Sequence, residues 1–207
     1  MVLDRWRHLA DAVLDPLARR LQRVSPDALS WAALLSAAFA GLAFYLGGAV
    51  LLSLGALFAF LNALLDALDG KVAKLTGRAS RRGDFLDHVL DRYADVLMLG
   101  GLALGPYCPV WLGLLAIVGV LLTSYMGTQA QAVGAGRDYG GILGRADRLV
   151  ILVLAALLQA AADPLPRTAF GIGVTSFTIL GWAMALFAVL GNVTAIQRAV
   201  STWRHLT

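Results

Sequence analysis

Glutamate is absent from this chain of 207 residues, and all 13 acidic residues are aspartate. Glutamate is the better helix former and the usual carboxylate of a solvated helix surface, so an all-aspartate inventory points to carboxylates used for something other than solubility. Charge of either sign is scarce, at 14% of residues, against roughly 25% in soluble domains, which excludes a water-soluble enzyme with one buried core. Cysteine is limited to Cys108, so no intrachain disulfide forms and the redox compartment is left open. Internal repeats and low-complexity tracts are lacking. A cleaved signal peptide is not expected either, because charges run through the N-terminal stretch and no apolar run precedes a cleavage site.

Apolar residues fill the space, at 59% of the chain with a mean hydropathy of +0.74. Apolar runs at roughly 29–47, 49–68, 85–104, 110–132, 146–161 and 169–196 are each compatible with a membrane crossing of about 20 helical residues. Breaks are expected at Gly47-Gly48, from Gly70 through Gly83, at Gly105-Pro106, from Gly134 through Gly144, and at Asp163-Pro164 with Pro166. Six spans put both termini on one side together with Arg5, Arg7, Arg19, Arg20, Arg23, Lys71, Lys74, Arg78, Arg81, Arg82, Arg92, Arg137, Arg145, Arg148, Arg198 and Arg204, leaving Arg167 opposite. The positive-inside rule then faces the termini and both basic loops to the cytoplasm, in a multi-pass protein of the cell membrane. Five or seven spans would spoil that segregation. The net charge of +4 fits orientation and contact with anionic lipid or phosphate, with no nucleic-acid partner expected.

Ahead of the first span, Leu3, Trp6, Ala10, Val13, Leu17, Leu21 and Val24 recur at helical steps among Arg, Asp and His. The stretch reads as amphipathic and interfacial, with Asp15-Pro16 expected to divide it into two helices. The expected fold is therefore an all-α integral membrane protein, one domain over 1–207, with an interfacial helical segment at 1–26 and a bundle of six transmembrane helices over 27–207.

Asp66, Asp69, Asp84, Asp87, Asp91 and Asp95 crowd the ends of two apolar runs, where ionisable groups are costly and functional by default. Helical spacing places Asp66 with Asp69 on one face and Asp87, Asp91 and Asp95 on another. Facing stripes would converge as hard oxygen donors that select Mg²⁺, Mn²⁺ or Ca²⁺ over zinc. The alternative is solvated carboxylates paired with Arg81, Arg82 and Arg92. For Asp84, next to Gly83, a helix N-cap or first-turn role is favoured. Asp95, a turn deeper, either continues the stripe or holds its helix by hydrogen bonds.

The run Asp66-Ala67-Leu68-Asp69-Gly70-Lys71-Val72-Ala73-Lys74, a spacer, then Gly83-Asp84-Phe85-Leu86-Asp87-His88-Val89-Leu90-Asp91 resembles the signature of the CDP-alcohol phosphotransferases, departing from it at Lys74, where the family usually carries Arg. The resemblance implies transfer of the phosphoryl-bearing part of a CDP-linked lipid, CDP-diacylglycerol or CDP-archaeol, to an acceptor hydroxyl with release of CMP. It implies Mg²⁺ or Mn²⁺, as two ions about 4 Å apart, on Asp66, Asp69, Asp87 and Asp91, with Asp91 also the general base. Gly70, Ala73 and Gly83 would let the nucleotide approach the backbone and Lys74 would meet phosphate, the other reading of the glycines being plain helix termination and packing. A divalent-cation transporter is the rival class, since intramembrane Asp pairs also mark ion pathways.

Ser124 through Ala132 and Gly144 through Leu149 look like the corresponding region of family members that make phosphatidylinositol phosphate, of their archaeal ether-lipid counterparts and of glycerophosphate enzymes. Bacterial inositol-phosphate members are expected to carry basic residues where Gly127 and Gln129 stand, which keeps an archaeal-type enzyme or a glycerol phosphate acceptor open. Arg145 and Arg148 share a helix face and Arg198 is expected to end the last span at the same depth, so the three are expected to hold the phosphate of a small polyol phosphate; snorkelling to lipid headgroups is the alternative for each. Gly101 and Gly105, with Gly113 and Gly119, mark close helix contact, read as a homodimer interface or as packing within one bundle.

Overall fold

The computed structural model describes residues 7–136, 140–162, 170–172 and 175–206. Seven helices occur among them: α1 (Arg7–Arg20), α2 (Pro26–Leu46), α3 (Ala49–Leu75), α4 (Arg81–Leu104), α5 (Val110–Ala132), α6 (Arg145–Ala162) and α7 (Ile179–Leu206). Before α7, β1 (Phe170–Ile172) and β2 (Thr175–Phe177) pair antiparallel. Helices α2, α3, α5 and α7 are long and apolar enough to cross a membrane. Charged residues occupy the first half of α4 and the first turn of α6.

Ser25 starts α2 by accepting the Ala28 N–H at 3.2 Å, with Pro26 at the first helical turn, where its missing N–H costs nothing. Gly47 and Gly48 separate α2 from α3 as expected. The expected break at Gly70 does not occur, because α3 continues through it to Leu75. It ends at Gly77, whose φ of +66° favours glycine. There Arg78 N–H reaches Ala73 O at 2.9 Å and Gly77 N–H reaches Lys74 O at 3.3 Å, the paired reverse bonds that close a helix C-terminus. Likewise α4 begins at Arg81, capped by Ser80, which accepts the Gly83 N–H at 3.1 Å. Asp84 is therefore a first-turn residue and not the cap.

Two further expectations are corrected. Residues 7–20 form one helix with Pro16 inside it, where two helices were expected. The last helix begins at Ile179, about ten residues after the expected start of the apolar run, because β1 and β2 intervene; Gln159 Oε1 on α6 accepts the Ile179 N–H at 2.9 Å and so caps α7. It runs on to Leu206, so Arg198 lies within α7 rather than at its end. Leu3, Arg5, Trp6, Arg137 and Arg167 lie outside the described residues.

Helix α2 packs on α3 and α4, α5 on α7, and α3 on α6. Small residues make this possible, and the core is rich in buried alanines such as Ala37, Ala40, Ala56, Ala59 and Ala94. A Cβ at Gly101 would collide with the Gly41 carbonyl, and one at Gly41 with that of Leu97. Gly105 meets the Phe44 carbonyl, Gly113 meets Ala103 and Gly119 meets Asn192. The glycine stripe thus serves contacts inside the bundle. The outside is as apolar as the inside: Trp31, Leu35, Phe39, Leu42 and Leu46 of α2 are all exposed, a pattern suited to lipid and not to water.

Candidate active site

Helix α2 packs on both α3 and α4, and the aspartates at the end of α3 meet those at the start of α4. Carboxylate oxygens of Asp66, Asp69 and Asp87 lie within 4.8 Å of one another, as do ligand atoms of Asp87, His88 and Asp91. Asp69 is buried, and Ser30 Oγ of α2 lies 2.5 Å from its Oδ2 and 3.2 Å from Pro26 O. The hydroxyl has one proton, and the shorter, charge-assisted bond to Asp69 takes it.

The partners of these carboxylates are not Arg81 and Arg82. Arg145, the first residue of α6, places Nη1 2.6 Å from Asp66 Oδ2 and 2.7 Å from Asp91 Oδ1. Asp95 is buried and pairs with Arg148 Nη2 at 3.2 Å and Arg92 Nη2 at 3.6 Å, which makes it a bolt between α4 and α6. Arg92 also bonds Ser124 of α5. Arg198 donates from Nε to Gly140 O at 2.8 Å and from Nη1 to Thr123 O at 2.7 Å. Arg145 and Arg148 thus reach the aspartate cluster, whereas these bonds of Arg198 tie α7 to α5 and to the segment before α6.

Next to the carboxylates an open cleft of about 600 Å³ is lined by Asp69, Gly70, Ala73, Lys74, Gly83, Asp84 and Asp87, with Arg78 and Ser80 at the turn. Every residue expected to face a nucleotide lines it. A Cβ at Gly70 would meet nothing within 4 Å, so glycine there keeps the cleft open rather than ending the helix. On the other side of the cluster a smaller cavity of about 180 Å³ is bounded by Ser30, Asn62, Asp66, Asp87 and Asp91.

Four carboxylates face two guanidiniums, Arg145 on Asp66 and Asp91 and Arg92 on Asp91 at 3.5 Å, so the cluster still carries excess negative charge in a partly buried place. Hard oxygen donors from two helices, close enough to share one ion, fit Mg²⁺ or Mn²⁺. Ser30, Asn62, His88 and the bridging role of Arg145 were not anticipated from the sequence. Asn62 alone carried a usable signal, a polar residue one turn before Asp66 on the same face.

A membrane-embedded enzyme that handles phosphate with divalent metal is the class this fold and site define. Residues 23–200 match the CDP-alcohol phosphatidyltransferase family, and the chain belongs to it. It is a transferase of phospholipid biosynthesis, its aspartate cluster suits Mg²⁺ or Mn²⁺, and the transporter reading falls. The chain is 32% identical over 183 residues to the archaetidylinositol phosphate synthase of Pyrococcus horikoshii, covering 88% of this chain and 86% of that one. Among solved structures it is similar to the phosphatidylinositol phosphate synthase of Mycobacterium tuberculosis in complex with manganese and citrate, with TM-score 0.73, 28% identity and coverage of 92% and 88%. With CDP-DAG bound, that enzyme gives TM-score 0.71, 26% identity and coverage of 93% and 94%.

Proposed function

We propose that this protein transfers the phosphatidyl-type group of a CDP-lipid to the hydroxyl of an inositol phosphate, releasing CMP. The observation that carries this is the juxtaposition of the Lys74 cleft, the carboxylate cluster and the Arg145–Arg148 edge of α6. One side suits a nucleotide pyrophosphate and the other a second anion, with the carboxylates between. The names of the relatives, inositol phosphate synthases with archaeal and bacterial lipids, support the acceptor.

Asp66, Asp69, Asp87 and Asp91 would hold the metal, which neutralises pyrophosphate charge and favours departure of CMP. Gly70, Ala73 and Gly83 admit the nucleotide and Lys74 meets its phosphates. Asp91 takes the proton of the acceptor hydroxyl. The acceptor oxygen bonds to the phosphorus that bears the lipid, the anhydride P–O bond breaks, and CMP leaves with that electron pair. Arg145 and Arg148, with Arg198 behind them, hold the acceptor's phosphate and bring its hydroxyl to Asp91.

The whole chain forms one catalytic domain with six transmembrane helices, α2 to α7. Exposed Val96, Leu97 and Leu104 on α4, and Leu154, Leu157 and Leu158 on α6, give those helices lipid-facing flanks beyond their charged starts. Helix α1 lies at the interface, its Ala18 packed with Leu68 and Val72 of α3 and its Asp11 salt-bridged to Lys71 at 2.7 Å. The termini and the site face the cytoplasm, and the protein sits in the cell membrane as a homodimer.

Kinetics with paired acceptors test the reading. Arg145→Gln or Arg148→Gln should raise the KM for inositol phosphate about tenfold or more with little change in KM for CDP-lipid. Free inositol serving as well as its phosphate, or both variants keeping wild-type KM, would return these arginines to membrane anchoring. Glycerol phosphate as the better acceptor would redirect the substrate while leaving the mechanism intact.

A further inference from the structure

Arg145 meets the carboxylate cluster in an incomplete way. Nη1 makes the close contacts, bridging Asp66 of α3 and Asp91 of α4; Nε lies 3.9 Å from Asp95 Oδ1, an ion-pair distance without a hydrogen bond, and Nη2 is buried with no hydrogen-bond partner among the described residues. A guanidinium offers five N–H groups in a planar fork and is best satisfied by bidentate pairing. Here one nitrogen joins two carboxylates from different helices, and Nη2 is left without a hydrogen-bond partner among the described residues. The neighbouring Arg148 pairs through Nη2 with Asp95.

The carboxylates in contact with Nη1, Asp66 and Asp91, are two of the four assigned to the metal. A divalent cation at about 2.1 Å from them and a guanidinium hydrogen-bonded to them repel each other, so the two compete for one place. Arg145 opens α6 next to Gly144, where its long side chain can swing without moving the helix.

We infer that Arg145 is a displaceable internal counter-ion: its clamp on Asp66 and Asp91 yields to a divalent cation held by the same carboxylates, and the freed guanidinium, Nη2 foremost, receives the acceptor's phosphate. This rests on the metal and acceptor roles proposed above. Because the same residue leaves one partner to serve the other, cation and acceptor bind with positive coupling, and by linkage each strengthens the other equally.

Calorimetric titration of Mn²⁺ into the purified protein without CDP-lipid, so without turnover, tests this. R145Q should bind Mn²⁺ about tenfold or more tighter than wild type, which corresponds to about 1.4 kcal/mol. Inositol phosphate should tighten Mn²⁺ binding to wild type and leave R145Q unchanged. Equal or weaker Mn²⁺ binding by R145Q overturns the counter-ion role. Absence of Mn²⁺ binding to wild type, or no loss in D66N and D91N, overturns the metal-site reading instead. Thermal unfolding serves where the variant is unstable: Mn²⁺ should raise the Tm of R145Q by more than that of wild type, and an equal gain contradicts the inference.

Discussion

Asp91 and Asp69 show how the same side chain is prepared for different work by its neighbours. Asp91 lies between the cavity and Arg145, whereas Asp69 is buried and receives the Ser30 hydroxyl. Asp91→Asn keeps shape and hydrogen bonding but removes the base and an anionic ligand, so CMP release should fall by at least about 100-fold while CDP-lipid binding persists; even a tenth of the wild-type rate would remove Asp91 from the mechanism. Ser30→Ala deprives a buried carboxylate of its donor, at about 1–3 kcal/mol. The apparent Mn²⁺ requirement should rise in that variant, with kcat recovering at saturating Mn²⁺, and an unchanged requirement would separate Ser30 from the site. The four aspartates were legible because burial of charge near a membrane demands a reason. Ser30 was not, because a hydroxyl in an apolar helix ordinarily bonds the carbonyl four residues back, and only the fold brings Asp69 to it.

Helix boundaries were legible where glycine pairs or Gly-Pro stand between apolar runs, as at Gly47-Gly48 and Gly105-Pro106. Gly70 misled because its lack of a side chain serves an open cleft, while the residue that ends α3 is Gly77. The start of α7 was misplaced because the apolar run there includes Phe170–Ile172 and Thr175–Phe177, which pair as strands. The same ambiguity affects Gly101: a small-residue stripe looks alike whether its partner is α2 or another chain. Gly101→Val forces a side chain into the Gly41 carbonyl and should destabilise the fold by about 1–3 kcal/mol or more, read as a lower Tm in detergent. An unchanged Tm with altered crosslinking between copies would move this stripe to a dimer interface.

Segregation of basic residues makes orientation testable across the whole molecule. Arg82→Cys, exposed at the start of α4, should react with an impermeant maleimide in inside-out vesicles and not in right-side-out cells. The native thiol does not confuse the assay, since Cys108 is buried and burial pushes its pKa up to about 11. Labelling from the outer side would invert the topology. The central claim is that this bundle brings a CDP-lipid, a divalent metal and a phosphorylated polyol to one aspartate cluster. Its most direct test is CMP release by the purified, chelator-stripped protein supplied with CDP-diacylglycerol or CDP-archaeol, Mn²⁺ and inositol phosphate, together and with each omitted in turn. The account predicts release only when all three are present, with the inositol phosphate recovered joined to lipid. Equal CMP release without metal, or with no acceptor, would contradict it.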